Sequence, residues 1–216
     1  YGRRYYQVSP LEDPLGPESG DFKVLRGGAW SYSSNFLRSA YRFNLVPYDG
    51  AFDPFGFRCA RSADSLAAET DDSSSTGTPI ATPTPAPSIT PLTPQTADES
   101  GALVAFIPAG SFEMVGKANN HESPIHTVVL DAFYMEVDEI TNAAFAEFLN
   151  DQGNQGEEGV NWLDVDDGDE RIRESGGAFE VELGFADHPG TDVGWYGATA
   201  YCEWRGGRLP TEAGWE

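Results

Sequence analysis

A stretch rich in threonine and proline divides the chain and limits what it can fold into. It covers residues 64–102 and contains repeated Thr-Pro steps, at Thr78-Pro79, Thr82-Pro83, Thr84-Pro85, Thr90-Pro91 and Thr93-Pro94. Proline lacks a backbone N–H and favours extended geometry for itself and for the residue before it. The stretch therefore cannot build a packed core. We predict a semi-rigid spacer between two folded parts, residues 1–63 and residues 103–216.

The spacer also bears on where the protein works. Stalks of this composition outside the cell commonly carry O-linked glycans, and unmodified spacers have the same residue content. The composition therefore favours an extracytoplasmic or secreted protein and leaves the modification open. The sequence opens on Tyr1 rather than on methionine, and a helix that begins at Thr211 has only six residues before the sequence ends. We therefore expect the chain to continue before residue 1 and after residue 216, so that a signal segment would not be visible here.

The charge of the chain limits the classes of partner that it can bind. Its 35 acidic and 13 basic side chains give a formal net charge of −22. A surface this acidic repels polyphosphates, so we expect neither nucleic acid nor an anionic membrane surface as a partner. No run of residues approaches the ~18 apolar positions that a membrane-spanning helix needs. The composition is that of an acidic protein without a membrane segment in this sequence.

Arginine and aromatic residues are interspersed through the part before the spacer. Arg38, Arg42 and Arg58 each stand near aromatic residues, and the short segments around them predict strands and loops rather than long helices. Arginines in this setting either bind an anion or stack on core aromatic rings while pairing with an aspartate. The sequence leaves both interpretations open.

The part after the spacer predicts strands followed by helices. Residues 103–114 read as strand, turn and strand, which predicts a hairpin. A β-branched run follows before Thr141, which we expect to cap a helix whose buried stripe is Phe145, Phe148 and Leu149. A second helix is predicted over residues 196–204, closed by Gly206-Gly207, and a third begins at Thr211.

Several motifs in both parts are recognisable together. After the spacer they include Ile107-Pro108-Ala109-Gly110-Ser111-Phe112 and the run from Gly206-Gly207-Arg208-Leu209-Pro210 to Glu216; before it they are Arg26-Gly27-Gly28 and Gly56-Phe57-Arg58-Cys59. These residues resemble the formylglycine-generating enzyme, or sulfatase-modifying factor, domain family. The resemblance implies an α+β fold of C-type-lectin-like type with limited regular secondary structure. Residues 1–63 resemble the end of a first copy and residues 103–216 the first half of a second.

The resemblance also bears on catalysis. Enzymes of this family resemble one another in two cysteines, five residues apart, that bind copper(I) through soft thiolates shortly after the Gly-Gly. The matching positions here are Tyr32 and Leu37, which are not thiolate ligands. The resemblance thus implies no catalytic residue and no cofactor for the first copy, as in a noncatalytic module that binds a protein or glycan. The alternative is a copper oxidase in the complete second copy, which converts a sulfatase polypeptide's active-site cysteine to formylglycine.

The chain has two cysteines, Cys59 and Cys202. The resemblance puts them at positions like the two ends of a structural disulfide within one domain. Each would have its own partner in a longer protein. If the two parts complement each other like a permuted domain, Cys59 and Cys202 would instead join, with Cα atoms about 4.4–6.8 Å apart. Two buried free thiols are the remaining alternative.

Two groups of residues are candidates for metal ligands. The histidines His121, His126 and His188 lack the spacing of a metal site, and we expect the last two to orient loops or to bond carbonyls. A cluster of acidic residues at positions 164–170 is a weak candidate for a calcium site, with Asp164, Asp166, Asp167 and Asp169 as the ligands. It departs from an EF-hand loop because its glycine comes one residue early. A calcium site and a solvated acidic turn both remain open.

Overall fold

A computed structural model describes residues 2, 4–29, 31–47, 55–63, 94–95, 101–114, 123–165 and 171–216. Short strands and a few helices alternate in it, which confirms an α+β protein. The helices are α1 (Asn142–Gln152), α2 (Trp195–Trp204) and α3 (Glu212–Trp215), with 3-10 turns at Tyr5–Gln7 and Ser34–Leu37. The strands are β1 (Lys23–Leu25), β2 (Phe43–Leu45), β3 (Ala60–Ser62), β4 (Pro94–Gln95), β5 (Val104–Ile107), β6 (Gly110–Met114), β7 (His126–Leu130), β8 (Phe133–Glu136), β9 (Gly156–Glu157), β10 (Val160–Asn161), β11 (Ile172–Ser175) and β12 (Ala178–Val181).

The largest sheet among the described residues contains strands from both sides of the spacer. Its order is β3-β8-β5-β4, and all three pairings are antiparallel. Strand β3 lies at its edge with Ala60 opposite Met135 and Ser62 opposite Phe133. The segment before the spacer therefore supplies an edge strand to a sheet whose centre comes from the other part of the chain.

The hairpin predicted for residues 103–114 is wrong. Both strands exist, but β5 pairs with β8, whereas β6 pairs with β7 in a separate two-stranded sheet. Only Pro108 and Ala109 separate β5 from β6. A two-residue hairpin turn needs positive φ at one or both of its residues, and the proline ring fixes φ near −65°. The connection therefore passes from one sheet to the next.

Helix α1 anchors the main hydrophobic core. As predicted, the Thr141 side chain caps it, accepting a hydrogen bond from the backbone N–H of Ala144 at 3.2 Å. Phe145, Phe148 and Leu149 are fully buried, which confirms the predicted stripe. The other buried members of this core are Cys59, Ile140, Ala146, Trp162, Leu163, Ile172, Val193, Ala198, Tyr201 and Cys202.

The ends of the later helices follow local sequence signals. Helix α2 begins one residue earlier than predicted and closes as expected: Gly206 has φ +70°, and the N–H of Gly207 donates to the carbonyl of Cys202 at 2.7 Å. This is the hydrogen bond of a Schellman motif, which glycine permits at no steric cost. The predicted start of α3 is also confirmed, and Thr211 Oγ1 caps the helix by accepting a hydrogen bond from the N–H of Gly214 at 3.0 Å. Across the described ranges, no helix combines the length and apolar character needed to cross a membrane.

Candidate functional site

A disulfide joins the segment before the spacer to helix α2. Cys59 and Cys202 are both buried, and their Cα atoms lie 5.5 Å apart although 143 residues separate them in sequence. The backbone N–H of Cys59 donates to Glu136 Oε2 at 2.8 Å, and the N–H of Glu136 donates to the Cys59 carbonyl at 3.0 Å. The bridge therefore lies where the edge of the main sheet meets the main core.

We call the surface where the part before the spacer meets the part after it the junction. A buried group of polar and charged side chains crosses it. We call this group the arginine–glutamate cluster, and its members are Tyr6, Arg26, Arg42, Glu212 and Glu216. The Arg42 guanidinium binds both carboxylate oxygens of Glu212, with Nη2 2.9 Å from Oε2. Arg26 Nη2 donates to Glu212 Oε1 at 2.9 Å, and Arg26 Nη1 lies 3.0 Å from Glu216 Oε2. Tyr6 donates its hydroxyl proton to Glu212 Oε1 at 2.7 Å. Helix α3 is thereby tied to three residues near the start of the chain.

Two of these arginines, Arg42 and Arg58, show the ring stacking that one interpretation predicted. Arg42 stacks at 4.5 Å over the ring of Tyr6, and Arg58 stacks at 4.2 Å over the ring of Trp215. The stacking prediction is confirmed for both. Glu212, 170 residues away, supplies a carboxylate to Arg42, and the aspartate partner stays a prediction. Glu212 is the first residue of a short helix, and nothing in the sequence around it indicates that it pairs with Arg42.

The electrostatics of the cluster act on Tyr6. Burial is the main cause that raises the pKa of its hydroxyl, and the neighbouring Glu212 carboxylate raises it further. The positive charges of Arg26 and Arg42 lower this pKa and only partly offset the rise. Tyr6 therefore remains a neutral hydrogen-bond donor well above the pH at which a solvated tyrosine ionises.

An open cavity lies beside the junction, and we call it the Arg58–Trp215 groove. Its volume is about 410 Å³, and it is lined by Arg58, Val137, Asp138, Glu139, Thr141, Asp187, Pro189 and Trp215. The size falls within the ~300–1,000 Å³ typical of ligand pockets. The stacked Arg58 and Trp215 side chains form one wall, and the three carboxylates around it belong to exposed residues. The groove thus presents hydrogen-bond acceptors around a single guanidinium.

Contacts across the junction fix the wall of the groove. A Cβ atom on Gly27, which has φ +89°, would lie 2.7 Å from Trp215 Cζ2, so the indole needs glycine beneath it. Burial lowers the pKa of the Arg58 guanidinium, and the carboxylates of Glu139, Asp138 and Glu136 raise it. The acidic rim therefore helps to keep Arg58 charged.

The two positions matched to copper ligands lie away from this groove's lining. Tyr32 is 41% exposed and Leu37 is 52% exposed, and Leu37 ends the second 3-10 turn. Tyr32 contacts Phe36 through its ring, with centroids 5.6 Å apart. The chain has two cysteines, and both are in the disulfide. The donor atoms present therefore do not fit a two-thiolate copper(I) site.

The calcium candidates are only partly described. Asp166, Asp167 and Asp169 lie outside the described residues, whereas the N–H of Asp164 donates to the carbonyl of Asp192 at 3.0 Å. Where the structure describes the chain, no three histidine, cysteine, aspartate or glutamate side chains are grouped to hold a metal.

His126 and His188 were expected to orient loops or to bond carbonyls. His121 lies outside the described residues. His126 Nδ1 lies 3.1 Å from the carbonyl oxygen of Pro124, and its ring contacts Tyr6 at a centroid distance of 4.8 Å. The His188 ring packs edge-on against Phe185 at 4.9 Å. The contact of His126 with Pro124 fits the expected carbonyl partner, and the role of His188 stays a prediction.

Comparisons with known proteins agree on one family. The family described as "Sulfatase-modifying factor enzyme 1-like domain" matches residues 90–216. A protein named serine/threonine-protein kinase Pkn1 from Chlamydia trachomatis is 38% identical over 112 residues, covering 51% of this chain and 18% of that protein. A formylglycine-generating enzyme from Bos taurus is 36% identical over 141 residues, covering 51% of this chain and 37% of the enzyme.

A third relative is similar over more of the chain. A formylglycine-generating enzyme from Streptomyces coelicolor is 32% identical over 166 residues, covering 63% of this chain and 52% of that enzyme. The chain thus spans at most about half the length of these three relatives.

Proposed function

Because this chain belongs to the sulfatase-modifying factor enzyme 1-like domain family, we propose that its first copy serves as a noncatalytic module that binds a protein or glycan ligand. The observation that carries the proposal is the lack of thiolates. Tyr32 and Leu37 stand at the matched copper positions, and the disulfide uses both Cys59 and Cys202. The proposal includes the arrangement expected from sequence: parts of two copies, each of C-type-lectin-like fold, on either side of residues 64–102.

We infer that the ligand site is the Arg58–Trp215 groove, to which the first copy contributes Arg58 and the second copy the other seven lining residues. Asp138, Glu139 and Asp187 offer carboxylate oxygens as hydrogen-bond acceptors, and the net charge of −22 attracts basic partners. A polypeptide segment with lysine, arginine or amide groups matches these acceptors best. Because Arg58 covers a face of the Trp215 ring, that face is not open for stacking a sugar.

A binding experiment tests the ligand class. A fluorescent peptide of alternating glycine and lysine is titrated against the protein, and a panel of neutral oligosaccharides is titrated in parallel. We expect the peptide to bind, and Asp187→Asn to weaken its affinity by about tenfold. Glu182→Gln is the matched control, since it removes an equal charge from an exposed ion pair outside the groove's lining. Binding of oligosaccharides alone would replace the peptide by a glycan, and binding of neither would contradict the proposal.

A copper titration tests the noncatalytic part. With bicinchoninate as the competing copper(I) ligand, we expect the protein to withdraw no copper from the chelator complex. Stoichiometric transfer of copper(I) to the protein would overturn the proposal.

The similarity to proteins named formylglycine-generating enzyme favours a second candidate, an oxidase that acts on a sulfatase-type polypeptide and is carried by a complete second copy. Copper would belong to that copy. A cysteine-containing peptide with the sequence of a sulfatase active site is incubated with this chain, copper(I) and oxygen, and aldehyde formation is read by mass spectrometry. We expect no aldehyde; its appearance would establish the oxidase instead.

We also propose an extracytoplasmic or secreted location. The buried Cys59–Cys202 disulfide supports it, because such bridges persist mainly in oxidising compartments. Alkylation of the native protein before reduction, followed by mass spectrometry, should find both cysteines protected. Two alkylated thiols would contradict this location.

A further inference from the structure

The part of the chain after the spacer depends on the part before it for backbone pairing. We define the closing segment as the described residues between 4 and 63, and the receiving part as the described residues between 101 and 216. Strand β3 covers one edge of β8, and Ala60 and Arg208 exchange two backbone hydrogen bonds of 2.8 and 2.9 Å. Without the closing segment, β8 would present an unpaired strand edge.

The charges of the receiving part also need the closing segment. The Glu212 side chain is 15% exposed, and its carboxylate binds Arg26, Arg42 and Tyr6. All three partners belong to the closing segment. A carboxylate this buried is strongly destabilising when its partners are removed, so the receiving part requires those arginines.

Two hydrophobic clusters are shared as well. The Phe57 ring contacts Phe145 at 6.0 Å and Tyr201 at 5.6 Å within the main core. Tyr6 is buried in a second cluster with Met114, Val128 and Ala213. The closing segment therefore completes both cores rather than lying on a finished surface.

The connection between the two parts is long relative to the folded unit. Strand β4 is already paired with β5, so about 30 residues, 64–93, connect residue 63 to the main sheet, and at polyproline rise a segment of that length reaches roughly 90 Å. A compact unit of the described size is roughly 40 Å across. A closing segment on this tether can reach the receiving part of a neighbouring copy.

We propose that the closing segment of one copy of this chain also closes the receiving part of a second copy, through the same contacts. Exchange of an identical element between protomers is an accessible route to dimers because it forms no new interface. The partner of this surface is thus a second copy of the chain, and the chain forms pairs in which each copy completes the other.

Single-cysteine variants of the full chain test the exchange. Two differently tagged variants, Cys59→Ser and Cys202→Ser, are expressed together in an oxidising compartment. Each retains one cysteine, so neither can form the intrachain bridge. We expect a disulfide-linked heterodimer of twice 23.4 kDa on a non-reducing gel, with Cys59 and Cys202 in one cross-linked peptide. Monomers with free thiols would overturn the proposal.

A matched pair of charge reversals separates exchange from random oxidation. Arg42→Glu in the Cys202→Ser chain puts a carboxylate against Glu212 of the other copy and should reduce the heterodimer by about tenfold or more. Arg171→Glu makes the same change in an exposed ion pair and should leave the yield unchanged. An equal yield with both reversals would mean that the cysteines meet without the proposed interface, which would also overturn the proposal.

The unsubstituted chain provides a second measurement in case the serine variants fold poorly. Protein labelled with nitrogen-15 and unlabelled protein are mixed in mild denaturant with a thiol–disulfide couple and then refolded together. Exchange predicts cross-linked Cys59–Cys202 peptides that carry one labelled and one unlabelled half. Peptides of uniform label only would contradict exchange even where the variants give no answer.

Discussion

Two arginine–glutamate pairs in this protein share their chemistry but differ in their surroundings. Arg42 and Glu212 meet at the junction of the two parts, with side chains 1% and 15% exposed. Arg171 and Glu182 meet beside the β11–β12 hairpin at 2.6 Å, with side chains 37% and 36% exposed. Solvent screens the attraction between Arg171 and Glu182. The charges of Arg42 and Glu212 are removed from water, so each is costly if it loses a partner. Burial, rather than distance, sets how much each pair matters.

The largest effect is expected from Glu212→Gln. It leaves the buried guanidiniums of Arg26 and Arg42 facing a neutral amide, and breaking a buried pair in this way costs about 3–5 kcal/mol. Urea unfolding followed by tryptophan fluorescence measures the free energy of unfolding. A loss below about 1 kcal/mol would show that the junction pair behaves like a surface pair.

Removal of the disulfide tests the same junction without touching its charges. We expect the double variant Cys59→Ser, Cys202→Ser to lose about 2–4 kcal/mol of unfolding free energy, because the bridge restricts a long loop in the unfolded chain. Combined with Glu212→Gln, the losses should differ from a simple sum, since both contacts hold the closing segment. Strict additivity would argue that the bridge and the cluster act on independent regions.

Alkaline pH should lower the free energy of unfolding through Tyr6. The unfolded chain releases the Tyr6 proton near pH 10, whereas the raised pKa keeps it bound in the folded protein. The unfolded state therefore binds fewer protons above that pH, and stability falls by up to about 1.4 kcal/mol per pH unit. Unfolding curves at about pH 9, 10 and 11 measure the slope on either side of that ionisation. The free energy of unfolding of the Tyr6→Phe variant should fall less steeply with pH, by this amount. Equal slopes for the variant and the unsubstituted protein would rule out Tyr6 as the group responsible.

The smallest effect is expected from Glu182→Gln. The same substitution that is severe at position 212 should cost at most about 1 kcal/mol here, because exposed ion pairs contribute about 0.2–1 kcal/mol. It should diminish further in high salt, which screens exposed charges. Parallel urea curves at low and high salt provide the measurement, and a loss comparable to that of Glu212→Gln would remove the distinction between the two pairs.

Local features of the fold were predictable from the sequence. Thr141 and Thr211 cap their helices, and Gly206 closes α2, because each signal acts within one helical turn. The buried stripe of α1 follows from its own spacing. The prediction of a β5–β6 hairpin was wrong because strand periodicity does not indicate which strand a given strand pairs with. Pro108 in the connection does argue against a two-residue hairpin turn.

The candidate site was less predictable. Arginines stacked on aromatic rings were expected, but nothing near Arg42 in sequence points to Glu212, and nothing near Arg58 points to Trp215. The members of each pair lie far apart in the chain, so the pairing depends on how the two parts dock. Docking adds Arg58 to a groove whose other seven lining residues come from the part after the spacer.

The sequence by itself determined the motifs of the family, the helix caps, the buried stripe of α1 and the lack of thiolates at positions 32 and 37. Only the tertiary structure decided that Cys59 meets Cys202 and that Glu212 receives its arginines. The physical reason is range. Backbone caps and side-chain periodicity act between neighbours in the chain, whereas a buried ion pair or a disulfide forms only where two distant surfaces exclude water together.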